Sequence, residues 1–322
     1  MDAWSSPEWP REATEWLDAR LDEAGIARTG EVELFHSRPW ATVLRAPTSQ
    51  GDVWLKASGP ETAFEAGLYR VLAEVVADSV PRPIAIDAER GWLLLEDGGP
   101  TLASAAQATP GLERAVAAYA RLQRRIAPRA RELLAIGVPD MRAEAMPARF
   151  DEALAAVSGY VEKAGSAAEE TYARLEDLRP TYASWCERLA ETPGTASVDH
   201  NDLHPENILI GEGGAVRFYD WGDAVVAHPF ASMMLPLGYA QEHLGDATVT
   251  RVRDAYLSEF DDLAPHDELV ATLERARTVA KVARALTWKR ALAAAGPEGL
   301  DRYGDAPLRA LASIFEGPYL WG

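Results

Sequence analysis

From Ser197 to Asp223 the chain reads SVDHNDLHPENILIGEGGAVRFYDWGD. Three oxygen-bearing side chains in it, Asp202, Asn207 and Asp220, are of the types that handle a hydroxyl and a hard cation. The apolar run Asn207–Ile210 reads as a short strand, Gly211–Gly214 supplies turn residues, and Val216–Tyr219 reads as the returning strand. Such a hairpin gathers the three at one end, Asp202 and Asn207 at its entrance and Asp220 at its exit. Mg²⁺ prefers oxygen ligands, and one or two protein ligands plus nucleotide phosphates make its usual site. Asn207 and Asp220 suit that site. Asp202, left free of metal, can orient a hydroxyl and accept its proton.

His200-Asn-Asp202-Leu-His204-Pro-Glu-Asn207 followed by Asp220-Trp-Gly222 resembles the aminoglycoside phosphotransferase/choline kinase-like family, small-molecule relatives of the protein kinases. Aspartate and asparagine are also ordinary turn formers. The joint pattern at fixed offsets, in a strand-turn-strand context, favours the functional reading. The resemblance implies a bilobal α+β fold, with a small β-rich N-lobe over residues 1–97 and a larger, mainly helical C-lobe over 98–322. It implies that Asp202 is the base and hydroxyl-positioning residue, that Asn207 and Asp220 hold Mg²⁺, and that His200 braces the loop through backbone hydrogen bonds. His204 stands where protein kinases carry a lysine that contacts the γ-phosphate; it either donates to that phosphate or faces solvent. Asp223 projects toward the acceptor side, where a carboxylate can hold an amine or a hydroxyl. Many relatives carry an aspartate that braces the catalytic loop at the position of Ser232; serine still offers one hydrogen bond there.

Composition narrows the classes. A chain of 322 residues has room for two lobes, and 48% hydrophobic with 25% charged residues is the profile of a globular protein. No apolar run approaches membrane-spanning length, and MDAWSSPEWP has neither the basic nor the apolar region of a secretory signal. The one cysteine, Cys186, fits a reducing cytoplasm. A net charge of −18 argues against nucleic acid as a partner and is compatible with a cationic substrate.

The elements that must position these residues follow from periodicity. Pro10–Ala24 reads as an amphipathic helix through Ala13, Trp16, Leu17 and Leu21. Glu31–Leu55 alternates as strands, with Gly51–Lys56 the third. The segment His36–Val43, where protein kinases have a glycine-rich loop, contains no glycine; Ser37, Arg38 or Thr42 is the candidate phosphate contact. Lys56 at the end of the third strand is similar to the family's phosphate-binding lysine. Its expected partner is Glu65, with Glu61 the alternative, on a helix from Glu61 to Ala77 marked by Phe64, Leu68, Val71, Leu72 and Val75. Pro81–Ile86 and Trp92–Glu96 form a hairpin leading into Asp97-Gly-Gly-Pro100. In the family this is the hinge that holds the base, which places Leu95 beside it and makes the Glu96 carbonyl and Gly98 amide its partners. Backbone contacts carry no side-chain signature, so ATP and GTP remain alternatives.

Beyond the hinge the chain turns helical. A helix starts at Thr109-Pro110, two more occupy Pro139–Leu189, and further helices run from Met233 to Trp321. Leu269, Leu273, Val279, Val282 and Leu286 have core spacing, and Trp288-Lys-Arg290 reads as packing plus solvated charge. Glu152 and Glu162 lie on helices that in relatives frame the acceptor site. The expected activity is nucleotide-dependent, Mg²⁺-assisted phosphoryl transfer to a hydroxyl of an aminoglycoside, amino sugar or amino alcohol. The alternative is a nucleotide-binding module of weak or no activity. A protein acceptor is disfavoured, because no A-P-E element and no Ser/Thr/Tyr-rich segment follows Asp220.

Overall fold

The computed structural model describes residue 4 and residues 6–104, 108–293, 295 and 297–317; the end of the last expected helical stretch, at Trp321, lies outside them. Helix α1 (Trp9–Glu23) buries Ala13, Leu17 and Leu21 as their spacing predicts, together with Trp9, while Trp16 is half-buried at the edge of the stripe. The stripe packs with Leu44, Val53, Leu55, Trp92 and Leu94 on one face of a five-stranded antiparallel sheet. Its strands are β1 (Glu33–Ser37), β2 (Ala41–Thr48), β3 (Gly51–Ser58), β4 (Pro83–Asp87) and β5 (Trp92–Glu96), in the order β1-β2-β3-β5-β4.

Strand β3 is central and alternates in burial. Val53, Leu55 and Ala57 point into the core under α1, so Lys56 projects from the opposite face, registered between Val43 of β2 and Leu93 of β5. Helix α2 (Phe64–Val75) covers that face. It begins three residues later than periodicity predicts, because Pro60 opens a separate turn of 3-10 helix at Pro60–Thr62. The glycine-free segment between β1 and β2 is a tight hairpin rather than a long loop, closed by the Arg38 amide on the Ala41 carbonyl at 2.8 Å.

The remainder is mostly helical. It comprises α3 (Ala108–Ile126), α4 (Ala130–Ala135), the short strand β6 (Asp140–Met141), α5 (Met146–Ala164), α6 (Ser166–Asp177) and α7 (Arg179–Ala190). Strands β7 (Ser197–Asp199), β8 (Ile208–Ile210), β9 (Val216–Phe218) and β10 (Val225–Ala227) come next. Helices α8 (Met234–His243), α9 (Asp246–Leu257), α10 (His266–Leu292), α11 (Pro297–Tyr303) and α12 (Ala306–Ala312) complete the described chain. Helix α3 starts at Ala108, so Thr109 lies inside it rather than capping it. Pro139–Leu189 holds three helices, not two. Gly165 (φ 88°) turns the chain between α5 and α6, and Pro180 sits in the first turn of α7, where its missing N–H costs nothing.

Two small sheets carry the motif. Strands β6-β10-β7 form one, and β8-β9 pair antiparallel with Ile208 opposite Phe218 and Ile210 opposite Val216. Helix α10, 27 residues long, packs against α5, α7, α12 and the turn Pro229–Met233, burying Leu269, Leu273, Val279, Val282 and Leu286 as their spacing predicts. Among the described residues no helix is long and apolar enough to cross a membrane.

Candidate active site

Lys56 is the meeting point of the two regions. Its ammonium lies 2.8 and 2.7 Å from the two oxygens of Glu65 on α2 and 2.5 Å from Oδ1 of Asp220, which follows β9. Glu65 is 1% exposed and also accepts the Ser58 hydroxyl at 3.0 Å, so it and not the exposed Glu61 is the partner. Burial opposes the charge on Lys56, but Asp220 and Glu65 outweigh it and raise its pKa. Burial lifts the Glu65 carboxyl, while Asp220, half-exposed to the cavity, is held below its ordinary value chiefly by Lys56, against burial.

Asp220 has φ 61° and Asn201 has φ 58°, the two non-glycine residues with positive φ among those described. This left-handed backbone turns the chain sharply on either side of the hairpin, and asparagine and aspartate are the non-glycine types that tolerate it best. Between them, His200 is fully buried. Its Nε2 lies 2.8 Å from the Tyr219 carbonyl, its amide donates to the Tyr119 hydroxyl at 2.8 Å, and its ring packs 4.6 Å from Trp221. It braces the loop and lines neither of the two cavities described below.

Asp202 projects into a cavity of about 630 Å³ that Lys56, His204, Asn207, Asp220 and Asp223 also line. The Asn207 amide nitrogen donates to the Asp202 carbonyl at 2.9 Å and to its Oδ2 at 3.1 Å. That commitment leaves the amide oxygen as the group Asn207 can offer a cation. His204 Nδ1 accepts the Glu206 amide, and Nε2 lies 3.3 Å from Asp202 Oδ2, so this ring is turned to the aspartate rather than to bulk solvent. Asp202 raises the His204 pKa against the effect of burial.

Arg284 on α10 is a residue of the candidate site that sequence reasoning misses. Its Nη2 lies 2.9 Å from Asp202 Oδ1, and its Nη1 donates to the Asn201 carbonyl at 2.9 Å and lies 3.3 Å from Asp223 Oδ2. Burial alone would raise the Asp202 pKa; the guanidinium reverses that and holds it well below the carboxylate range. Asp223 goes the other way, pushed up to about 6 by burial and by the charge of Asp202. Trp288, one turn on from Arg284, lines the same cavity, and the Arg290 guanidinium donates to Thr287 Oγ1 at 3.1 Å. Trp288 packs as expected, stacked 5.7 Å from Tyr303, and also lines the cavity, whereas Arg290 is half-buried rather than solvated. Glu152 is tied to Lys289 and Arg149, away from the cavity, and Glu162 is exposed on α5.

Ser232 does not act alone. Its hydroxyl donates to Asp199 Oδ1 at 2.7 Å, and the same oxygen accepts the Asn201 amide at 2.8 Å. Asp199 is 1% exposed and burial pushes its carboxyl up to about 6. A carboxylate thus braces the loop, but from β7 rather than from position 232.

A second cavity, about 330 Å³, adjoins the first and shares Lys56 and Asp220. Leu95, Glu96 and Gly98 line it, together with Phe35, Trp54 and Leu209. Phe35 packs edge-on against Trp54 at 5.0 Å. Thr42 lies apart from both cavities. It is buried, and its hydroxyl is used by the His36 carbonyl at 3.2 Å, because alternation along β2 turns it into the sheet while Ala41 faces the cavity.

A model of the phosphotransferase enzyme family (APH) matches residues 42–269. The uncharacterized protein YcbJ of Bacillus subtilis (strain 168) is 34% identical over 76 residues, 23% of this chain and 24% of that protein. The chain is similar in fold to a choline kinase from Cryptosporidium parvum Iowa II (TM-score 0.65, 14% identity, 94% of this chain and 95% of that one). It is also similar to a macrolide 2'-phosphotransferase type I (TM-score 0.60, 16% identity, 92% and 96%). The fold is therefore kinase-like.

Proposed function

Because this chain belongs to the phosphotransferase enzyme family, we propose that it transfers the γ-phosphoryl group of ATP or GTP to a hydroxyl of an aminoglycoside, amino sugar or amino alcohol. The observation that carries this reading is the contact of Lys56 with Asp220, which joins the sheet to the motif and puts Asp202, Asn207 and Asp220 on one cavity. On this reading residues 1–97 form one lobe and residues 98–322 the other, with the nucleotide between them.

The smaller cavity takes the base, between Leu95, Leu209 and the aromatic pair Phe35 and Trp54, with the Glu96 carbonyl and Gly98 amide at its edge. Lys56, oriented by Glu65, binds the phosphate tail. Among the described residues no group of three or more His, Cys, Asp or Glu side chains forms a cage for a metal. Asn207 and Asp220 fit the two-ligand requirement of Mg²⁺, whose remaining positions phosphates and waters fill. When bound there, Mg²⁺ supplies neutralisation of the phosphate charge. Asp202, kept ionised by Arg284, aligns the acceptor hydroxyl and accepts its proton; since the transition state is loose, alignment matters more than basicity.

The test is nucleotide turnover with Mg²⁺ across a panel of hydroxylated amines, with phosphorylated product identified by mass. At least one member gives product, and Asp202→Ala lowers that turnover by at least about a hundredfold while nucleotide binding is retained. Hydrolysis by water alone across the panel would refute the acceptor class. Turnover unaffected by Asp202→Ala would refute the role of the aspartate.

A further inference from the structure

Four carboxylates line the larger cavity among the described residues: Asp202, Glu206, Asp220 and Asp223. Two of them belong to the nucleotide side. Asp220 is held by Lys56, and Glu206 accepts the Thr101 hydroxyl at 3.3 Å, where Thr101 lines the smaller cavity. The acceptor side is left with Asp202 and Asp223, and Arg284 stands between them, 2.9 Å from one and 3.3 Å from the other. A guanidinium stays charged at any working pH, and its planar fork occupies carboxylate lone pairs in fixed directions. Two negative charges therefore present only one net charge to an incoming molecule. Arg290 lies behind Asp223, its guanidinium 3.5 Å from that residue's carbonyl oxygen, and reduces the field further.

Resting on the function proposed above, the geometry points to an acceptor that carries at most one positive charge, a mono-amine alcohol or mono-amine sugar, with Arg284 as the residue that excludes polyamines. An ammonium brought beside Asp202 or Asp223 meets the Arg284 cation at close range in a partly enclosed cavity, where charges are screened less than in water. One such group is balanced by the net charge present. Each further ammonium finds its carboxylate already taken and faces repulsion, which is how a site discriminates by unfavourable contacts as well as favourable ones. The walls fit the same chemistry, since Trp40 and Trp288 offer indole rings instead of additional acids. The overall charge of −18 supplies long-range attraction for any cation; discrimination among cations lies in the local pairing.

The full-length chain decides this with Mg²⁺-nucleotide and two acceptor sets: mono-amines (choline, ethanolamine, glucosamine) and polyamine aminoglycosides (kanamycin, neomycin). The wild type turns over its best mono-amine with a kcat/KM at least about tenfold above its best polyamine. In Arg284→Met that ratio falls by at least about tenfold whatever happens to the absolute rate, and Arg284→Lys restores it toward the wild-type value. A polyamine as the best wild-type acceptor overturns the inference and leaves the proposed function standing, and a ratio unmoved in folded Arg284→Met removes Arg284 as the discriminating group. No turnover with any acceptor by a chain that still binds nucleotide overturns the function and the inference with it. The wild-type comparison stands by itself if Arg284→Met does not fold.

Discussion

Asp199 shows how much one buried carboxyl can set. It sits three residues ahead of Asp202, and one of its oxygens accepts both the Asn201 amide and the Ser232 hydroxyl. Burial raises its pKa from 3.8 to about 6. Below pH about 4 it is protonated in both folded and unfolded chains. As pH rises through the window between, the unfolded chain releases the proton and the folded chain keeps it, so stability falls, by about 3 kcal/mol at pH 7 from this group. Asp199→Asn retains an acceptor oxygen for both donors and cannot ionise. Its unfolding free energy, followed by urea titration from pH 4 to 7, is expected to lose that part of the decline. Asp223 titrates in the same range and leaves a residual slope. An unchanged slope in Asp199→Asn would show that the carboxyl is not the titrating group.

At the scale of the element, the loop that carries Asp202 is held by backbone geometry and by α10. Asn201 combines a φ of 58° with side-chain donation to Thr287 Oγ1 at 2.7 Å on that helix. Asn201→Ala loses the hydrogen bond and keeps the unfavourable φ, and is expected to cost about 2 kcal/mol. Asn201→Gly loses the same bond but accepts the φ freely, and is expected to cost about 1 kcal/mol less than the alanine variant. Thermal unfolding of the two variants measures the difference. Equal losses would mean that the left-handed turn contributes nothing to stability.

For the whole molecule, the sheet and the helical region meet across the two cavities, so a ligand bound between them stabilises both. Nucleotide with Mg²⁺ at about a hundred times its Kd adds about 2.7 kcal/mol. For a chain of 322 residues unfolding cooperatively, that corresponds to a rise in Tm of about 4 °C. Differential scanning calorimetry reads it directly. The same experiment with double-stranded DNA is expected to give no shift, since a chain of net charge −18 repels a polyanion.

The motif from His200 to Gly222, the alternation that turns Lys56 out of the core under α1, and the period of the core positions on α10 were legible in the sequence because each is a local relation. Within a strand or a helix, spacing alone dictates which side chains share a face. Arg284, Asp199 and the turn of the Thr42 hydroxyl onto the His36 carbonyl were not legible. Arg284 meets Asp202 from 82 residues away along the chain, and its apolar neighbours Val282, Ala283, Ala285 and Leu286 mark a core segment without naming the partner of the arginine. Its position follows from the packing of α10 against Asn201, Asp202 and Asp223. Thus the sequence by itself determined the candidate reacting groups and the elements that carry them. Only the tertiary structure decided which charges neutralise one another, because a pairing between distant segments depends on distance and burial and leaves no periodic trace along the chain.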